Sequence, residues 1–132
     1  MSEICMGFDF GMKKIGIAIG QSITGTANPL VIITAKDGQP DWVALEKIVK
    51  QWQPNKFIVG LPINMDGTAS EMSSKAEKFA RRLTGRYDIP HQTWDERLTS
   101  FEAKEFANPD EQVDAIAAKL ILESYFREWQ QN

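Results

Sequence analysis

The stretch Cys5-Met6-Gly7-Phe8-Asp9-Phe10-Gly11-Met12-Lys13-Lys14-Ile15-Gly16-Ile17-Ala18-Ile19-Gly20 carries apolar residues at alternate positions on both sides of a short basic turn. That is the pattern of a β-hairpin. Successive strand residues face opposite ways, so Ile4, Met6, Phe8 and Phe10 share one face while Gly7, Asp9 and Gly11 share the other. One carboxylate therefore stands between two positions that have no side chain. Glycine weakens a strand interior and marks a close approach of backbone or ligand. Asp9 reads either as an aspartate that ends a strand and opens a turn or as a carboxylate cleared for access.

Two chemistries use a carboxylate placed in this way: the phosphate-binding hairpin of actin-like and sugar kinases, and the carboxylate-metal site of ribonuclease H-type nucleases. Length separates them. A chain of 132 residues is expected to form a single domain, residues 1–132, able to bury a core of its own, whereas the kinase architecture needs two such domains around the nucleotide. With 42% hydrophobic and 25% charged residues, the composition is that of a soluble globular protein. The N-terminus enters a strand at once, without a signal-peptide pattern, and no apolar run approaches the roughly 20 residues of a membrane helix. A cytoplasmic protein without membrane contact is expected. Cys5 and His91 are the only residues of their types, which excludes a disulfide or a Cys/His zinc site within one chain. A net charge of −3 means that any binding of nucleic acid rests on a local basic patch rather than on the whole-molecule field.

Along the chain, Asn28–Thr34 reads as a third strand that meets the sheet edge near Pro29. Trp42, Leu45, Ile48, Val49 and Trp52 recur at helical spacing up to Pro54. Phe57–Leu61 is a continuous apolar run, as in a strand covered on both faces. The loop from Leu61 to Gly67, with Asn64 in it, lies at the carboxyl end of that strand, where α/β proteins place ligands. Thr68 and Glu71 have capping-box spacing, so a helix is expected to open there, with Met72, Ala76, Phe79, Ala80 and Leu83 as its apolar stripe. Lys75, Lys78, Arg82 and Arg86 form a second stripe beside it, either a solvated face or a row of phosphate contacts. His91–Trp94 reads as the fifth strand, Thr99–Phe106 as a short helix, and Val113, Ile116, Ala117, Leu120 and Ile121 as the apolar residues of a last helix running to about Trp129. This order predicts an α/β fold of the ribonuclease H-like kind, a five-stranded mixed sheet flanked by helices.

On the last helix Asp114 shares a face with Ala117, Ala118 and Ile121, and small residues there let the helix lie close to the sheet. Asp9 and Glu96 stand at the carboxyl ends of the first and fifth strands. With the Phe57–Leu61 strand between them they are roughly 10 Å apart, and Gly60 leaves the gap open. Singly, each carboxylate has an ordinary reading, Asp114 at a helix start and Glu96 as a surface charge beside Arg97. Together they offer oxygen-only ligands, which suit Mg²⁺ or Mn²⁺, and paired ions of this kind activate water and stabilise the leaving oxygen in phosphodiester hydrolysis without a histidine.

Asp9-Phe10-Gly11, Val59-Gly60-Leu61-Pro62 with Asn64-Met65-Asp66-Gly67-Thr68, Asp95-Glu96-Arg97-Leu98-Thr99-Ser100, and Val113-Asp114-Ala115-Ile116-Ala117-Ala118 resemble, in order and over nearly the whole chain, the motifs of the bacterial YqgF/RuvX family. The resemblance implies Asp9, Glu96 and Asp114 as a metal-binding catalytic triad. It implies a nuclease that matures the 5′ end of pre-16S ribosomal RNA in ribosome biogenesis, with ribosomal particles among its partners, or else a Holliday junction resolvase acting on branched DNA. The class-level rival is a catalytically silent ribosome-assembly module of the same fold. Candidate nucleic-acid contacts are Lys13, Lys14, Asn64, Lys75, Lys78, Arg82, Arg86 and Arg97. The chain departs from the family in the short, acidic segment Ala107–Gln112. It also has Ala117 where related DNA resolvases place a fourth carboxylate, for which Asp110 or Asp95 are the substitutes at hand. A junction resolvase needs a two-fold dimer and an RNA-trimming nuclease does not, so monomer and homodimer both stay open.

Overall fold

Alternation in the opening hairpin becomes two antiparallel strands, β1 (Ile4–Asp9) and β2 (Lys14–Gln21), in register from Ile4 opposite Gln21 to Asp9 opposite Gly16. The computed structural model describes residues 3–62, 66–68, 70–96 and 113–130. The third strand, β3 (Thr26–Lys36), is longer at both ends than its β-branched run suggests. Its register against β2 shifts between Ile17 and Ala18, where Pro29 sits. A proline removes one ladder donor and is accommodated at such an irregularity. A tight turn with left-handed backbone at Asp37 and Gly38 leads into β4 (Gln39–Pro40), a two-residue strand paired with Ala35 and Lys36. This makes six strands where five were expected, and the sixth is too short to leave an alternation in the sequence.

α1 (Trp42–Trp52) opens on Asp41, whose carboxylate accepts from the Ala44 amide at 3.1 Å, and closes where the left-handed Gln53 amide donates to Val49. β5 (Lys56–Leu61) and β6 (His91–Asp95) run parallel to β1 and bracket α2 (Glu71–Tyr87). The cap of α2 is Ser70, whose hydroxyl accepts from the Ser73 amide at 2.9 Å. Thr68 instead belongs to the preceding turn and donates to Asp66. The capping-box spacing was thus two residues early, because Ser70 offers the same hydroxyl directly before the helix. The last helix, α3 (Val113–Gln130), ends one residue beyond expectation. The short helix expected at Thr99–Phe106 lies outside the described residues.

The sheet order is β4-β3-β2-β1-β5-β6, and each face carries its own core. On one face, Phe8 meets Phe57 and Phe79 edge-on at 5.7 and 5.4 Å, among Met6, Ile15, Ile17, Val59, Leu61 and residues of α1 and α2. On the other, α3 covers Cys5, Ala18, Ala27 and Ile58. Each fully buried large side chain contributes about 1.5–3 kcal/mol relative to exposure. Burial also pushes the Cys5 thiol up to about 11, helped by the nearby Glu3 carboxylate, which leaves it an inert core residue. The buried residues of α3 are Ala115, Ala118, Ile121, Leu122, Tyr125 and Phe126, while Ile116, Ala117 and Leu120 are only half-buried. The expected stripe was therefore turned partly away from the sheet, since this helix is apolar on most of its circumference. Among the described residues no helix is long and apolar enough to cross a membrane.

Candidate functional site: a row of glycines beside Asp9

Asp9 closes β1, and strand register sets its neighbours on both sides. Gly16 of β2 lies directly opposite. On the other side Phe8 aligns with Val59, which puts Asp9 level with Gly60 of β5, itself paired with Trp94 of β6. β5 thus lies between β1 and β6, as expected from the sequence. A single row across the sheet reads glycine, aspartate, glycine. Cross-strand neighbours on one face have β-carbons about 5 Å apart, so the groups above the two glycines are the immediate surroundings of Asp9.

Other segments fill both vacated positions. A β-carbon at Gly16 would fall on the main chain of Asp114 and Ala115, at the start of α3. A β-carbon at Gly60 would lie 2.7 Å from Oε1 of Glu96 and 2.5 Å from Cδ1 of Ile121. Glu96 follows β6, two strand spacings or about 10 Å from β1, yet its carboxylate leans back over β5 and halves that distance. Gly7, two residues before Asp9, sits beneath Ala118 and Leu122 of α3. Asp9, Glu96 and the first turn of α3 therefore share one face and one end of the sheet.

Asp114 is less committed to that row. Its Oδ2 lies 3.6 Å from Nζ of Lys14, with side-chain exposures of 27% and 65%. Lys14, Gly16 and Ala18 alternate onto the α3 face of β2, so this lysine stands beside the carboxylates rather than on an open loop. A pair this exposed is worth at most about 1 kcal/mol, which makes it easily exchanged for another cation. Among the described residues no three Asp, Glu, His or Cys side chains are gathered closely enough to hold a metal ion. The donor set is nonetheless all carboxylate oxygen, the chemistry of a hard divalent ion. Asp95 is opposite Leu61, whose side chain belongs to the α2-side core. It therefore faces away from Glu96 and does not supply a fourth ligand on that face.

The basic residues divide between the two faces. Lys13 is exposed in the bend after β1 and Lys14 pairs with Asp114. Lys75, Lys78, Arg82 and Arg86 lie on α2, on the far side of the sheet from the carboxylates. Asn64, Arg97, Asp110 and the segment 107–112 lie outside the described residues. Sequence reasoning missed Gly16 and the pairing of Lys14. The signal for Gly16 was available, a second glycine that the hairpin register puts opposite Asp9.

The crowding at Gly60 yields a direct test. In Gly60→Ala the new methyl would lie 2.5 Å from Cδ1 of the buried Ile121 and 2.7 and 2.9 Å from Oε1 and Cγ of Glu96, so the loss of stability should be about 1–3 kcal/mol. The Glu96 carboxylate has to move, and catalysis by this site should fall tenfold or more. Thermal melts and cleavage rates measured side by side check the split, and unchanged cleavage would remove Glu96 from the site.

Comparison with known proteins agrees with this architecture. A curated protein of Azotobacter vinelandii described as "Putative pre-16S rRNA nuclease" is 50% identical over 134 residues, covering 96% of this chain and 94% of the relative. One of the same description from Pseudomonas putida is 51% identical over 132 residues, covering 93% and 94%. In fold, the chain is similar to Thermus thermophilus RuvC in complex with a Holliday junction substrate (TM-score 0.61, 11% identity, 97% of this chain and 96% of that one). It is also similar to the fowlpox virus Holliday junction resolvase (TM-score 0.56, 17% identity, 95% and 99%). At such identities these structures speak for a shared ribonuclease H-like fold alone. The family model described as "RuvX: Holliday junction resolvase" matches residues 3–128, and with half-identical relatives over nearly its full length, the chain belongs to the RuvX family.

Proposed function

We propose that the protein is a divalent-metal-dependent nuclease that hydrolyses phosphodiester bonds at the 5′ end of precursor 16S ribosomal RNA, acting in the cytoplasm on free or ribosome-bound precursor. The observation that carries this reading is the row Gly16–Asp9–Gly60, with the Glu96 carboxylate over one glycine and the start of α3 over the other. Half-identical relatives bearing that description support the choice of RNA. Asp9 and Glu96 would hold Mg²⁺ or Mn²⁺, with Asp114 as third ligand once Lys14 releases it. The bound ion supplies an activated water and charge stabilisation for the leaving oxygen. The chain's own part is to keep the carboxylates rigid on strand ends, and to hold Asp114 against Lys14 until a stronger cation arrives.

A resolvase acting on branched DNA is the second reading, favoured by the fold shared with RuvC. The two differ in a single experiment. Purified protein with Mn²⁺ is expected to shorten a 5′-extended 16S precursor and to behave as a monomer in light scattering. A stable dimer that cuts four-way junctions symmetrically and spares the RNA would overturn the substrate. Binding of the precursor without cleavage of either substrate would leave an assembly module rather than an enzyme.

A further inference from the structure

The basic stripe of α2 is one wall of a groove. Opposite it stands the turn between β3 and β4, and between them lie two adjoining hollows of about 140 and 510 Å³ that share Gln39 and Arg82. Among the described residues, the charged ones lining them are Lys75, Lys78, Arg82 and Arg86 against one carboxylate, Asp37. The excess is thus three positive charges in a chain whose net charge is −3. From Lys75 to Arg86 the helix rises about 16 Å, with the β-carbons of successive cationic residues about 5–6 Å apart.

Two features make this a built surface rather than a solvated face. The far wall is pinned, because the Gly38 amide donates to the Met12 carbonyl at 3.0 Å and a β-carbon at Gly38 would lie 3.1 Å from the Phe10 ring. Arg86 lies over the Trp42 ring with its guanidinium carbon 4.6 Å from the centroid, a stacking that holds the planar fork against the ring at the end of the groove. Lys75 is partly engaged by Glu71 at 3.7 Å, an exposed pair that costs little to exchange. A trough with cations along one wall and an aromatic ring at its end fits one nucleic-acid strand better than a duplex.

The groove begins at Phe10, the residue after Asp9, but opens on the opposite face of the sheet from the carboxylates. We propose that it binds the sugar-phosphate backbone of a single-stranded segment flanking the cleavage point, a strand that passes over the carboxyl end of β1 and runs along α2. This rests on the nuclease reading for its substrate class. The scissile phosphate stays with Asp9 and Glu96, and the groove sets how much neighbouring strand is held.

The test uses fluorescence anisotropy of a labelled single-stranded RNA in EDTA, where no cleavage occurs, titrated at several salt concentrations. Each phosphate contact contributes about 0.7 to the slope of log affinity against log salt. Lys78→Gln with Arg82→Gln, which spares the Arg86–Trp42 and Lys75–Glu71 contacts, should lower the slope by about 1.4. The same variant should raise KM for a long substrate more than KM for a minimal oligonucleotide too short to reach the groove. An unchanged slope in a variant that still melts like the parent would return the stripe to a solvated face and overturn the groove. A parent that prefers duplex, losing the same slope there, overturns the single-strand assignment. A parent that binds no RNA defeats the nuclease reading itself and the groove with it.

Discussion

Asparagine in place of Asp9 is expected to leave the fold standing and to lower phosphodiester cleavage at least a hundredfold. The two side chains have the same shape, so strand pairing and the glycine row are preserved, and what is lost is the anionic oxygen. Removing an outer partner of a metal ligand already costs 10- to 100-fold, and loss of a direct ligand, the role proposed for Asp9, should cost more. Glu96→Gln and Asp114→Asn should act in the same direction. The metal leaves its own signature. An ion that binds only the folded arrangement stabilises it by about 2.7 kcal/mol at a hundredfold excess over its dissociation constant, a rise in melting temperature on the order of 5 to 15 °C for a domain of this size. Each carboxylate variant should shrink that rise. Without metal, Asp9→Asn and Glu96→Gln should melt no lower than the parent, because two carboxylates leaning toward one another repel. Asp114→Asn also releases Lys14 from its 3.6 Å contact, a loss too small to register as a change in fold. Full cleavage by all three variants would refute the assignment. So would melts indifferent to Mn²⁺ and Mg²⁺ both alone and with a non-cleavable oligonucleotide that can complete the metal's coordination.

Much of this arrangement is written in local pattern. Period-two alternation marks the hairpin, and its parity puts Gly7 and Asp9 on one face. The continuous apolar run of β5 marks a strand covered on both sides. The stripe of α2 predicts Ala76, Phe79, Ala80 and Leu83 as buried, because polar and apolar positions there are well separated, while Met72 is only half-buried and Ser73 is buried in addition. What failed had no such contrast. In α3 apolar residues occur nearly all round, so periodicity does not say which side meets the sheet, and Ala117 was preferred where Ala115 is the buried residue. β4 is two residues long and has no period at all. The lean of Glu96 over Gly60 and the hold of Lys14 on Asp114 depend on side-chain directions that only tertiary packing fixes. The placement of the α2 cations on the far side of the sheet follows from the handedness of the β5–α2–β6 crossover. It was derivable in principle, but only once the other layer was known to be α3.

A tight constraint among the described residues falls on one with no chemistry of its own, Gly16. Gly16→Ala should destabilise the fold by about 3 kcal/mol or more, at the upper end of what overpacking usually costs. The added methyl would collide with the carbonyl of Asp114 and lie 2.7 Å from the amide nitrogen of Ala115. Both are main-chain atoms of a helix, so no rotamer relieves the clash and α3 has to lift from the sheet. Lifting loosens Ala115, Ala118 and Leu122, all fully buried, and close packing forfeits much of its attraction over gaps of 0.5–1 Å. Against a typical domain stability of about 5–15 kcal/mol, such a loss lowers the melting temperature by roughly 10 °C. The same substitution at Gly85 is the control. Nothing lies within 4 Å of a β-carbon there, the site is inside α2, and alanine should stabilise by about 0.5–1 kcal/mol. Because Gly16 is the cross-strand neighbour of Asp9, the displaced helix also carries Asp114 away from the other carboxylates. Gly16→Ala should therefore lose stability and cleavage together, whereas Asp114→Asn loses cleavage alone. A Gly16→Ala protein that melts within about 2 °C of the parent and cuts at its rate would mean that α3 does not rest on that glycine, and with it would go the placement of Asp114 beside Asp9.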